Sequence, residues 1–137
     1  MKHDPAKPLR VVYFVEQDGA PTDFRFVKIG TTSERVGAKT RLSTLQTGSP
    51  FEISIIGEIP ERWFGREGSE AFWHSVYKRF RHAREWFLLP LEEVEKLRAL
   101  LADRKQRSEA ITIAECRRAA DRMRQREAAK RLAGARP

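Results

Sequence analysis

Arg10-Val11-Val12-Tyr13-Phe14-Val15-Glu16-Gln17, then Asp18-Gly19-Ala20-Pro21-Thr22-Asp23, then Phe24-Arg25-Phe26-Val27-Lys28-Ile29-Gly30-Thr31 is the stretch on which the fold turns. The outer runs are dense in β-branched and aromatic residues, which fit a pleated, half-buried surface. The middle segment is turn chemistry: Gly supplies positive φ, Pro presets φ, and Asp bonds its own backbone. Two strands this close in sequence can pair only antiparallel, so residues 10–31 read as a β-hairpin.

Working outward, Ser33 to Gln46 takes a helical pattern. Ser33 is the candidate N-cap, Glu34 lies in the first turn, Val36, Leu42 and Leu45 are candidate buried positions, and Gly48 and Pro50 end the helix. Phe51 to Ile59 alternates as a third strand, and a loop with Pro60, Gly65 and Gly68 follows. A second helix spans about 69–81 and is expected to bury Phe72, Val76 and Phe80. Pro90 sits at the first turn of a third helix at about 91–106, with Glu92 and Glu93 at its positive dipole end and a stripe of Val94, Leu97, Leu100 and Leu101. Thr112 and Glu115 match the capping box of a fourth helix running to about Leu132. The expected fold class is therefore α+β: a small three-stranded antiparallel sheet flanked by helices, with a basic helical C-terminal extension. The expected organisation is an N-terminal tail at 1–9, a domain at 10–106 and the extension at 107–137.

The charge balance narrows the partners. Of 137 residues, 27 are Lys or Arg and 19 are Asp or Glu, a net charge of +8 with a sequence pI of about 10.1. Such an excess suits a polyanion, nucleic acid foremost, although a merely solvated basic surface would look similar. Residues 91–137 carry 13 Lys and Arg against 8 Asp and Glu, over half the excess. The single Cys116 excludes an intrachain disulfide, and His3, His74 and His82 have no structural-zinc spacing. The first residues lack the apolar run of a signal peptide, and no segment approaches the roughly 18 apolar residues of a membrane span. The expectation is a soluble, intracellular, cytoplasmic protein with no membrane partner.

Five signposts then fall in order: Val11-Val12-Tyr13; Lys28-Ile29-Gly30; Arg41-Leu42 through Leu45-Gln46 to Pro50; Glu70 to His74; and Glu85-Trp86-Phe87. Over about residues 10–90 this order resembles the GIY-YIG nuclease superfamily, and within it the phage-type or meiotically up-regulated branch, which has Lys-Ile-Gly in place of Tyr-Ile-Gly. The resemblance implies a GIY-YIG-like fold and a role for each residue. Tyr13 would activate or position the attacking water. A free phenol titrates near about 10, so a neighbouring cation such as Lys28 would have to help it. Lys28 would hold phosphate as a point charge. Arg41, on the first helix, would stabilise charge on the scissile phosphate with its planar fork. Glu70 would hold the metal, Mg²⁺ or Mn²⁺, with Glu67 as the alternative register. His74, four residues on and on the same helix face, would orient Glu70 or touch phosphate.

Each of these residues also has a plain reading. Tyr13 alone is a strand aromatic, Gly30 a loop glycine, Arg41 a solvated arginine, Glu70 an acid at a helix start, and His74 a structural histidine. Glu85 either faces the site or bonds the backbone and is read as core support, with Trp86 and Phe87 locking the second helix onto the sheet. Two departures stand out: Leu45 lies where the superfamily often has histidine, and the chain contains no Asn. The implied activity is a single-metal DNA endonuclease, with RNA left open as substrate. The alternative is an inactive GIY-YIG-fold module that binds nucleic acid or protein. In the extension, Arg117, Arg118, Arg122, Arg124 and Arg126 are candidate phosphate contacts, and the absence of interleaved aromatics argues against base stacking there.

Overall fold

The computed structural model describes residues 9–134, so the expected tail at 1–9, with His3, lies almost entirely outside the described residues. The chain divides into two compact units, residues 1–105 and 106–137. In the first, β1 (Arg10–Gln17) and β2 (Phe24–Ser33) form the expected antiparallel hairpin, with Tyr13 opposite Gly30 and Val15 opposite Lys28. The connecting turn uses positive φ at Gly19 and Asp23, as the turn residues require.

The sheet is larger than the sequence implies. It has five strands in the order β3-β1-β2-β5-β4, with β3 at Ile53–Pro60, β4 at Arg81–Ala83 and β5 at Trp86–Pro90. The expectation of three strands fails because β5 pairs antiparallel along the outer edge of β2, from Phe24 opposite Pro90 to Lys28 opposite Trp86. Trp86 and Phe87 are thus strand residues pointing to opposite faces, not a plug at the end of a helix. Phe87 is fully buried and Trp86 half-buried.

The helices are also trimmed. α1 is Gly37–Thr47, starting after Val36, which is exposed, while Leu42 and Leu45 are half-buried. Ser33 remains in β2, and its hydroxyl accepts from Val36 N at 3.1 Å ahead of the helix. The expected loop after β3 is instead a helical turn, α2 (Glu61–Phe64), and a 3₁₀ turn at Gly65–Gly68. α3 covers only Glu70–Val76 and gives way to a 3₁₀ turn at Lys78–Phe80 and then β4. Its buried stripe is Trp73 and Tyr77, whereas Val76 is 48% exposed. Trp73 wins because its ring meets Phe14 edge-on at 5.3 Å and stacks on Tyr77 at 5.9 Å. Phe72 and Phe80 pack partly against the same core.

The third and fourth expected helices are one, α4 (Leu91–Gly134). The Thr112–Glu115 match to a capping box is not a cap. Thr112 Oγ1 donates to Ser108 O at 2.8 Å, the back-bond of a residue inside a helix. In the first unit α4 buries Val94, Leu97 and Leu101 against Val12, Phe14, Ile29, Ile59, Phe87 and Leu89. Its approach depends on Gly57, where a Cβ would meet Leu101 Cβ at 2.9 Å. Truncating Leu97, 2% exposed, is expected to cost about 2–5 kcal/mol by transfer and cavity terms, measurable by urea unfolding.

Polar clamps hold α4 on the same face. Arg98 bonds Glu16, which also accepts from Ser54 Oγ at 3.3 Å and pairs with Arg25 at 3.4 Å. Burial alone would raise the Glu16 carboxyl, but the Arg98 hydrogen bond and charge, followed by Arg25 and Ser54, outweigh it and hold it below the ordinary glutamate range. A lowered carboxyl contributes stability that is present above the unfolded value and lost as pH falls through the folded one. Glu16→Gln is therefore expected to lower the melting temperature at pH 7 and to flatten its decline between about pH 5 and 3. A wild-type-like acid profile in the variant would contradict this.

Candidate functional site

Tyr13 projects from β1 onto the sheet face that carries α1, among Val15, Ala38, Leu42, Leu45 and Trp86. Its ring lies directly over Gly30 on the neighbouring strand: a Cβ there would stand 2.5 Å from the phenol oxygen and 2.7 Å from Cζ. Only glycine leaves room for it. The residue is 2% exposed, yet among the described residues no fully enclosed side-chain oxygen or nitrogen lacks a hydrogen-bond partner. No partner of the Tyr13 hydroxyl occurs among the described residues, so the hydroxyl is the part of the residue that reaches solvent.

Two positions along β2 on the same face is Lys28, whose Nζ lies 3.3 Å from Glu85 Oε2 and 5.9 Å from the centroid of the Trp86 ring. Trp86 therefore joins Tyr13 to Lys28. Glu85 precedes β5, and its carbonyl accepts from Ile29 N at 3.1 Å, which ties this carboxylate to the β2 edge.

α3 supplies the remaining groups. Ser69 caps it, accepting from Phe72 N at 3.3 Å, and places Glu70 at its first position. His74 Nε2 lies 3.0 Å from Ile29 O and 3.5 Å from Glu70 Oε1. Both neighbours are acceptors, so Nε2 carries a proton and links α3 to β2 beyond the end of β5. The ring also packs edge-on against Phe87 at 5.1 Å.

Glu70 is raised above the ordinary glutamate range, first by burial, then by the charge and hydrogen bonding of Glu85; His74 and Lys28 act in the opposite sense. Two carboxylates, one histidine and one ammonium group thus converge at the β2 edge, and Trp86, which packs in the Tyr13 cluster, lies against the ammonium group. Glu67, the alternative register, is engaged elsewhere: its carboxylate bonds Arg104 of α4 and its carbonyl accepts from Trp73 Nε1 at 2.7 Å.

Arg41 opens on a different depression, about 420 Å³, lined by Arg10, Thr31, Thr32, Ser33, Val36, Thr40 and Thr44. It is exposed, with no side-chain partner among the described residues. Of the sequence-predicted residues, the structure brings Lys28, Glu70 and His74 into one cluster through Glu85, puts Tyr13 on the same sheet face as Lys28, and has Arg41 of α1 line a depression with Thr31 and Thr32. Glu85 and Trp86 are the members that sequence reading leaves to the core. Their signal is present in Glu85-Trp86-Phe87 but becomes legible only once β5 pairs with β2.

Among the described residues no group of three or more His, Cys, Asp and Glu is arranged to hold a metal ion. The donor chemistry still fits a hard divalent cation that keeps most of its waters, since one or two carboxylates suffice for Mg²⁺ when phosphate oxygens complete the shell. A carboxylate such as Glu70, whose proton affinity burial and a neighbouring carboxylate raise, is a place where a bound cation relieves repulsion. Among the described residues no helix is long and apolar enough to cross a membrane. No curated protein and no solved structure matches the chain significantly. The model of the T5orf172 domain matches residues 10–102, a span that holds the hairpin, α1, the Glu70–Glu85 cluster and the start of α4, and the chain belongs to that family.

Proposed function

We propose that the chain is a metal-dependent endonuclease of GIY-YIG type that hydrolyses phosphodiester bonds in DNA. Membership of the T5orf172 family, a phage-endonuclease-associated class, supports a nuclease-like or nucleic-acid-binding role. The observation that supports the finer reading is the meeting of Glu70 and Glu85 with Lys28, which projects from the same sheet face as Tyr13.

Glu70 and Glu85 would hold Mg²⁺ or Mn²⁺, and such a cation would supply positive charge where the phosphate gains negative charge. Lys28 reaches from the face that carries Tyr13 to Glu85, where its ammonium group holds a phosphate oxygen. The Tyr13 hydroxyl positions the attacking water; as the water oxygen bonds to phosphorus its proton is released to solvent, and the departing sugar oxygen takes a proton from solvent as its bond to phosphorus breaks. His74, with its Nε2 proton committed to Ile29 O and Glu70, orients the carboxylate. Arg41 has its guanidinium free for a phosphate of the same strand. In the extension, Arg118 and Arg124 are tied to Glu115 and Asp121 one turn back, while Arg117, Arg122 and Arg126 make no ion pair among the described residues and are the stronger phosphate contacts.

Supercoiled plasmid incubated with Mg²⁺ or Mn²⁺ should be nicked, with EDTA abolishing the reaction, and Tyr13→Phe should slow it by roughly 100-fold or more. Nicking that is indifferent to Tyr13→Phe would sink this assignment of the phenol. Leu45 where the superfamily often has histidine, and a chain without Asn, favour a second reading, a module that binds nucleic acid without cutting it. That reading predicts salt-sensitive DNA binding with no metal-dependent product.

A further inference from the structure

Lys78-Arg79-Phe80-Arg81-His82-Ala83-Arg84 places four Lys or Arg and one His in seven residues with no acid among them. The segment is the 3₁₀ turn, β4 and the turn into β5, and all of it but Phe80 is exposed. Its shape is set from within. Arg84 takes a left-handed φ of 54°, Arg81 Nε donates to Arg84 O at 2.9 Å, and the Arg79 guanidinium lies 4.7 Å over the Phe80 ring.

Elsewhere on this unit Arg25, Lys28, Arg62, Lys96, Arg98 and Arg104 pair with acids, and Arg10, Arg35, Lys39, Arg41, Arg66 and Lys105 do not; among the described residues of the unit no other seven-residue stretch holds four unpaired cations. Lys78, Arg79, Arg81 and Arg84 make no ion pair among the described residues. Four unneutralised cations on a short hairpin repel one another unless a partner brings anions. The same segment runs directly into Glu85, whose carboxylate meets Lys28, and into Trp86 beside Tyr13.

We propose that this β4–β5 hairpin is the phosphate-binding surface that seats nucleic acid beside the Glu70–Glu85 cluster. The proposal rests on the nucleic-acid reading above but not on cleavage. Cations at Lys78, Arg79, Arg81 and Arg84 neutralise successive phosphates of a backbone passing the β4 edge, and the continuity of Arg84 with Glu85 brings the next phosphate to the site. None of the four reads bases, so the contribution is independent of sequence.

Fluorescence anisotropy with a labelled DNA duplex, in chelator so that nothing is cut, tests this directly. The triple variant Lys78→Gln, Arg79→Gln, Arg84→Gln leaves the Arg81 bond to the turn in place. It should bind on the order of tenfold or more weakly near physiological salt, with a slope of log affinity against log salt shallower by about 0.9 for each phosphate no longer neutralised. Arg79→Lys with Arg84→Lys keeps the charge and should bind close to wild type. Should the triple variant fail to fold by circular dichroism, the single changes Lys78→Gln and Arg79→Gln should each reduce the slope by about 0.9. Unchanged affinity and slope would overturn the proposal and assign the hairpin to an acidic protein surface. Duplex binding in chelator is read independently of plasmid nicking in Mg²⁺, so a wild type that binds with the expected salt slope but never nicks fails the cleavage reading alone, and one that nicks while the triple variant binds unchanged fails this one alone.

Discussion

Gly30→Ala is expected to lose both stability and activity. The added Cβ would stand 2.5 Å from the Tyr13 hydroxyl and 2.7 Å from Cζ, inside any allowed contact. The ring cannot swing away cheaply, because Val15, Ala38, Leu42, Leu45 and Trp86 enclose it. Overpacking of this kind costs about 1–3 kcal/mol. The phenol would also leave the position proposed for it beside the attacking water, and a displacement of about 1 Å can lower a rate on the order of 100-fold. Adding Tyr13→Phe relieves the contact to the oxygen but not the one to Cζ, so the double variant should recover part of the stability and none of the activity. Thermal unfolding and plasmid nicking read the two effects separately. A Gly30→Ala protein with wild-type melting temperature would show that the ring does not lie where the structure places it.

Glu70→Gln is expected to have the larger effect on activity and the opposite effect on stability. A raised carboxyl contributes stability that is full below its unfolded value and lost as pH rises through the folded one. At neutral pH the fold therefore bears the ionised Glu70 beside Glu85 as a burden. Removing that charge should leave the domain as stable as wild type or more so. Cleavage should nevertheless fall by about three orders of magnitude or more, because several kcal/mol of charge stabilisation at the phosphate goes with the cation. Protons compete with the cation for the same oxygens, so Mn²⁺ affinity of the wild type should begin to fall as pH drops while still above the usual glutamate range. Titration calorimetry across pH checks this, and in Glu70→Gln the pH dependence should largely vanish.

Legibility in the sequence follows the strength of local signals. The hairpin at 10–31 is plain because β-branched runs flank a turn that only Gly, Pro and Asp favour. β5 is obscured because Trp86-Phe87-Leu88-Leu89 has no polar alternation, being packed on both faces of the sheet. In α3, aromatic residues at 72, 73, 77 and 80 allow more than one helical stripe, and only the tertiary contact of Trp73 with Phe14 selects one. The break expected before Thr112 does not occur because residues 103–111 contain neither Gly nor Pro to interrupt strong helix formers. Of the site, Tyr13, Lys28, Glu70 and His74 are legible from their order along the chain. Glu85 and Trp86 are not, since their neighbours are set by the pairing of β5 with β2, a contact roughly 60 residues distant in sequence.

The decisive measurement is a time course of supercoiled plasmid with Mg²⁺ at neutral pH, wild type and Glu70→Gln side by side at matched DNA occupancy. Nicked circles are expected from the wild type alone, and none from either protein in EDTA. Equal nicking by both proteins, or saturated binding by the wild type with no metal-dependent product, would contradict a Glu70-centred metal nuclease.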